Sequence, residues 1–354
     1  MKRFAALLIA VFALSTNCFA AQLDADDVAD SVPENVQNIV GDVDDISNTQ
    51  AVLDRVLGAV KDAVSDNLGS IFKNAVSVLA IAMVCSLLGI FGDDKAPDFV
   101  HLCGCAAITI ICVSDVNSYI KLGTDTINEI SVFSNTLLPA LCTATASCGA
   151  ISSAAVKYAA SALFMDLFIA AAKNIILPFI YAFLAVSIAS AAFDNKSLSA
   201  IASLFKWVCT SLMTILSLVF TAYISISSAI ASSGDAVATK LAKTTISTVL
   251  PVVGSIISDA ASSVVAGAEL IKNTIGAFGM LAVLAICITP IVVIGLNYLA
   301  FKAAAVGVAA MKTTKIAALT DSIGTAFGML CGLVGCCGVI MFISILSCIR
   351  TVVG

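Results

Sequence analysis

The side chains with the most chemical potential in this sequence are charges set in or beside long apolar runs: Asp166 and Lys173 in the first half, Asp259, Glu269 and Lys272 in the second. In hydrocarbon an unpaired charge costs at least about 2.5 kcal/mol, so each must pair, face water or reach an interface, and a water-facing one marks an ion or proton path. Glu269 and Lys272 are three residues apart and suit a pair on one helical face. Asp166 and Lys173 are two turns apart and suit snorkelling toward opposite sides. Asp259 has the strongest case for a functional, water-facing role, weighed against plain interfacial placement.

The prolines form a second constellation. Pro139 and Pro251 both follow a leucine and lie 112 residues apart, and Pro178 and Pro290 share that offset, so four of the six prolines fall into one register. The pattern predicts an internal duplication. Each first proline precedes a small-residue stretch, Cys142 to Ala155 or Gly254 to Gly267, and each second one interrupts a long apolar run. Pro139, Pro178, Pro251, Gly254, Asp259 and Pro290 are therefore the candidate gate or packing residues. Unwound backbone at membrane depth is tolerated only where protein or water satisfies it, and in transporters such segments line the path. The competing reading is that small residues simply let helices pack closely.

Catalysis finds little to stand on. The sole histidine, His101, opens an apolar run, which excludes a two-histidine zinc motif and predicts an interfacial side chain. No phosphate-loop sequence is present, so the chain itself carries no nucleotide hydrolysis motif. Thirteen cysteines include no C-x-x-C pair, and apart from Cys18 nearly all lie inside apolar runs, where cysteine acts as a small hydrophobe. No catalytic residue, cofactor or metal ligand is assigned.

The elements that position these residues must be membrane helices. Of 354 residues 60% are hydrophobic and only 12% charged, and the mean hydropathy is +1.07; a soluble domain has about one quarter charged residues to cover its surface. The reading is an all-α, polytopic membrane protein. Residues 1–20, with Lys2 and Arg3 ahead of an apolar run ending in Cys18-Phe19-Ala20, have the form of a cleaved signal peptide. Residues 21–70 hold 11 acidic side chains against Arg55 and Lys61. They read as an acidic extracytoplasmic segment whose second half, Gln50 to Leu68, is an amphipathic helix serving as a stalk or as a docking helix. The membrane domain occupies 71–354, with about six to eight spans. Ile71 to Phe91, Phe99 to Ser118, Leu204 to Ala231, Gly276 to Phe301 and Ile323 to Ile349 are long enough to cross. Tyr158 to Phe193 is either one long kinked helix or two short ones. The proline-containing regions 127–156 and 246–271 are candidates for re-entrant segments. If both dip in and return, six crossings result, the repeats run parallel, and Lys302, Lys312 and Lys315 lie in the cytoplasm, as the positive-inside bias favours. If both cross fully, the repeats are inverted. No basic patch exists to attract nucleic acid.

The run from Leu250-Pro251-Val252-Val253-Gly254 through Ser258-Asp259-Ala260, followed by Leu270-Ile271-Lys272-Asn273-Thr274-Ile275-Gly276-Ala277-Phe278-Gly279-Met280-Leu281, resembles the stage III sporulation protein AE family. Leu138-Pro139 with its small-residue run is similar to the same family. Ser255 stands where the family pattern has a second glycine, and residues 21–70 have no counterpart. The resemblance implies a multi-pass protein made in the mother cell and placed in the membrane around the forespore. It further implies a non-enzymatic export-gate or scaffold subunit of a secretion-like channel complex needed for late forespore development. The implied partners are sister proteins including a separate cytoplasmic ATPase, a forespore-made protein across the intermembrane space, and the lipid bilayer. An autonomous secondary transporter with an intramembrane carboxylate is the alternative.

Overall fold

The computed structural model describes residues 32–33, 49–91, 96–193, 195–249, 254–311 and 313–350. The expected signal peptide, most of the acidic segment and Pro251 lie outside the described residues. Among those described there are seven α-helices and no strand: α1 (Thr49–Phe91), α2 (Ala96–Ser147), α3 (Ile151–Ala171), α4 (Leu177–Phe193), α5 (Lys196–Val249), α6 (Gly254–Ala310) and α7 (Thr314–Ile349). A π-helical turn, Ala172–Ile176, joins α3 to α4 without a break, so these two form one crossing. Among the described residues six helices are long and apolar enough to cross a membrane. The all-α polytopic architecture expected from composition is the architecture observed.

Periodicity explains which helices sit in the middle. Over half of the most apolar window of α6 and of α7 is buried, 56% in each, against 22% in α5. A helix apolar all round belongs in a core or in lipid, and α6 and α7 form the core as the most extensively packed pair. Small residues set their separation. A Cβ placed on Gly338 of α7 would lie 2.9 Å from the Cys287 sulfur of α6, and one on Gly279 of α6 would lie 2.6 Å from Leu137 of α2. Only glycine permits both approaches without displacing a neighbour.

The helices alternate in direction between two ends. At one end Ser86, late in α1, donates to the carbonyl of Met311 beyond α6 (3.0 Å), and the start of α7 shares a cavity with the junction of α4 and α5. This is the basic end, carrying Lys196, Lys302 and Lys315. At the other end the start of α3 meets α5, and Ile349, the last residue of α7, lies against Gly276 of α6. This is the capped end. Shifted by 112 residues, α2 overlaps α5 and the α3–α4 crossing overlaps α6, with corresponding helices running in the same direction. The turn at Gly149 has no counterpart at that offset, since position 261 falls inside α6.

Two expectations about breaks need correction. Pro139 does not interrupt its segment: α2 continues through it to Ser147, and its neighbours Leu137, Leu138 and Leu141 are buried in the core. Burial on a continuous apolar face outweighs the one hydrogen bond that a proline removes. The chain turns instead at Cys148–Ala150, where Gly149 takes φ 89°, a left-handed conformation that costs glycine almost nothing. Pro290 likewise sits within an unbroken α6. Near Pro178 the helix does change. The Leu177 N–H bonds to the Ala172 carbonyl five residues back, which widens the turn just ahead of the proline ring and relieves its clash with the preceding turn. The long run 151–193 is thus one helix with a wide turn rather than two helices. The amphipathic segment and first span are likewise one 43-residue helix, α1.

Candidate functional site

The capped end gathers the most unusual side chains. Asp235 of α5 is 4% exposed and its two carboxylate oxygens accept the backbone N–H groups of Ser152 (3.0 Å) and Ser153 (2.8 Å). These donors belong to the first turn of α3, whose own cap residue, Ala150, supplies no side chain. The first N–H groups of a helix lack internal partners and carry partial positive charge, so a carboxylate placed there is doubly favoured. Burial acts to raise the Asp235 carboxyl, but the hydrogen bonds from Ser153 and Ser152 outweigh it and hold the group below the usual aspartate range.

Lys157, one and a half turns further along α3, is 2% exposed. Its ammonium donates to the Ser347 carbonyl at 2.5 Å. Ser347 lies in the last turn of α7, where carbonyls run out of regular intrahelical partners and the helix dipole is negative. Lys157 also lies within electrostatic reach of Asp235, Cys348 and Lys272. The site therefore joins an anion on a helix N-terminus to a cation on a helix C-terminus, with both side chains borrowed from neighbouring helices. Lys272 of α6 is 1% exposed, and Glu269 shares with it the neighbourhood of Cys148.

The expected site residues scatter. Lys272 and Glu269 reach the capped end, on α6. Gly254 and Asp259 lie in the first turns of α6. Asp166, Lys173 and Pro178 are exposed on the outer face of the α3–α4 crossing, and Pro139 is half-buried in α2. His101 is half-buried near the start of α2. Sequence reasoning missed Lys157 and Asp235. The available signal was a cation and an anion each isolated in a Ser- and Ala-rich stretch, but no spacing rule links positions 78 residues apart.

A bundle of six apolar crossings with charges buried at one end defines a polytopic helical membrane protein. The chain belongs to the Stage III sporulation protein AE family, whose model matches residues 32–351 and so takes in residues 32–70, where the sequence reading found no counterpart. It is 26% identical over 200 residues to the Stage III sporulation protein AE of Bacillus subtilis (strain 168), a match covering 56% of this chain and 50% of that relative. No solved structure matches it. A role in sporulation follows from the family; its description names a developmental stage and no reaction.

Proposed function

We propose that this protein is a membrane subunit of a secretion-like channel complex linking mother cell and forespore, acting as a non-enzymatic export gate or scaffold in late forespore development. It resides in the mother-cell membrane around the forespore. The basic end faces the cytoplasm, in keeping with the positive-inside bias. The start of α1 then lies on the opposite side, with the acidic segment 21–70 extracytoplasmic and available to a forespore-made partner. Energy comes from a separate cytoplasmic ATPase among the sister proteins.

The observation that carries this reading is the capped end. Asp235 and Lys157 tie the α2–α3 turn, α5 and the end of α7 together with buried, charge-assisted bonds. Such bonds are strong and geometrically specific, which suits a closed face or a fixed docking frame. Separating Asp235 from α3 is the movement that opening would require.

Two measurements test the proposal. Affinity capture of the full chain from sporulating membranes is expected to bring the sister proteins and the forespore-made partner with it. The purified chain alone in liposomes is expected to carry no solute. Recovery of the chain by itself, together with unaided uptake, would overturn the reading in favour of an autonomous transporter.

A further inference from the structure

Where the α4–α5 junction faces the start of α7, the basic end holds a cavity of about 400 Å³, within the range of about 300 to 1,000 Å³ usual for small-molecule sites. Ser187 of α4 lines it and is 5% exposed, yet its hydroxyl has no hydrogen-bond partner among the described residues. A buried hydroxyl in that state is rare, because the cost of removing it from water is not recovered. Thr320 and Ser344, both fully buried, instead turn back on their own helix and donate to the carbonyls of Ile316 and Ile340. Ser187 keeps its O–H for whatever occupies the cavity.

The first turn of α7 is open at the same place. Thr313 stands at the cap position but gives no side-chain cap; its hydroxyl donates to the Val308 carbonyl at 3.1 Å. The first N–H groups of a helix carry partial positive charge and need outside acceptors, and this turn borders the cavity through Thr314. The two other helix ends nearby are already closed. The Asn195 side chain accepts the Ser197 N–H at the start of α5 (2.9 Å), and the Ser190 carbonyl near the end of α4 accepts the Asn195 N–H (3.3 Å).

Lys196 and Lys206 supply the charge. Both line the cavity with exposed side chains, and neither forms an ion pair among the described residues. Of the other charged groups in the wall, Lys315 has a partner of its own and Asp321 is held by Lys302 at 2.7 Å. A buried hydroxyl, an open helix N-terminus and two ammonium groups thus border one space, and all of them donate. Helix N-termini favour anions, and lysine binds phosphate oxygens as a compact point charge without demanding a fixed geometry. A phosphate group presents acceptor oxygens in several directions at once, whereas the two oxygens of a carboxylate lie in one plane. We propose that this cavity binds the phosphate group of a monoester at the basic end, its oxygens shared among the Ser187 hydroxyl, the first turn of α7, Lys196 and Lys206. Soluble esters and phosphatidic acid both carry such a group.

The test follows the thermal unfolding midpoint of the detergent-purified full chain against added glycerol phosphate or phosphatidic acid in mixed micelles, with potassium chloride at matched ionic strength as the reference. A saturable rise above the chloride baseline is expected. Saturation by glycerol phosphate supports a soluble ester as the ligand, and saturation by phosphatidic acid alone supports a lipid headgroup. Combining Lys196→Gln with Lys206→Gln should weaken the response at least tenfold. Ser187→Ala is the second variant. It removes a buried group that has no partner in the unliganded chain, so the unliganded midpoint should stay put or rise while phosphate binding weakens several-fold. A response no larger than that to chloride, or one that either variant leaves unchanged, would overturn the proposal. So would a lower unliganded midpoint in Ser187→Ala, which would show that the hydroxyl serves the fold.

Discussion

The two ends of the bundle use charge in opposite ways. At the capped end Asp235 and Lys157 are almost wholly buried and spent on backbone groups at helix termini. At the basic end Lys302 and Asp321 form an ion pair whose side chains are 29% and 56% exposed, beside a cavity lined with further lysines. A buried charge must be matched by its surroundings, so its partners become part of the fold. An exposed one is already satisfied by water and can change partners. Architecture is therefore concentrated at one end and exchangeable binding capacity at the other.

Substitutions at the two ends should separate accordingly. The largest effect is expected from Asp235→Ala, which strips two N–H groups of their acceptor and should cost about 1.5 to 3 kcal/mol, the range for hydrogen bonds to a charged group. Thermal unfolding of the purified chain measures it, and an unchanged midpoint would remove the contrast between the ends. The same residue gives a pH signature. Because its folded pKa is depressed, the stability it contributes is present above the unfolded value of about 3.9 and is lost as pH falls through the lower folded value. The native chain should therefore lose stability over that acid window, and Asp235→Ala should lose less.

Lys157→Met comes next, at about 1 to 2 kcal/mol, because it removes a cation from the end of α7 while keeping the apolar stem. Equal stability of Lys157→Met and the native chain would show that the ammonium is balanced by its own desolvation. The smallest effect is expected from Lys302→Gln, under about 1 kcal/mol, as for other solvent-exposed ion pairs. A cost there matching Asp235→Ala would mean that the basic end is as structural as the capped one.

Much of the fold was legible in the residues, and much of the site was not. Hydropathy and length locate the crossings because apolar runs of about 20 residues have few other uses. Pro139 misled because proline's local penalty is set against burial on both sides of it, and only the packing of Leu137 and Leu141 decides the outcome. Lys272 was visible as a charge in an apolar run, whereas Asp235 and Lys157 act through backbone groups of other helices. A side chain's sequence neighbours do not reveal which distant helix end it will meet. The expected docking helix, Gln50 to Leu68, is part of α1, while the acidic residues before Thr49 lie almost wholly outside the described residues.

The wide turn at Ala172–Ile176 also records something about the history of the chain. Such a turn accommodates one residue more than an α-helix does in the same length, and each residue in an α-helix advances by about 100°. Deleting a single residue there would return the segment to regular α-helix and leave everything beyond it close to its present phase. Ile180, Phe183 and Leu184, now buried, would go on facing the core, whereas the same deletion further along, in regular α-helix, would rotate the residues beyond it by about 100°. The extra residue is therefore absorbed where it stands, and α4 presents the same side to α5 with it or without it.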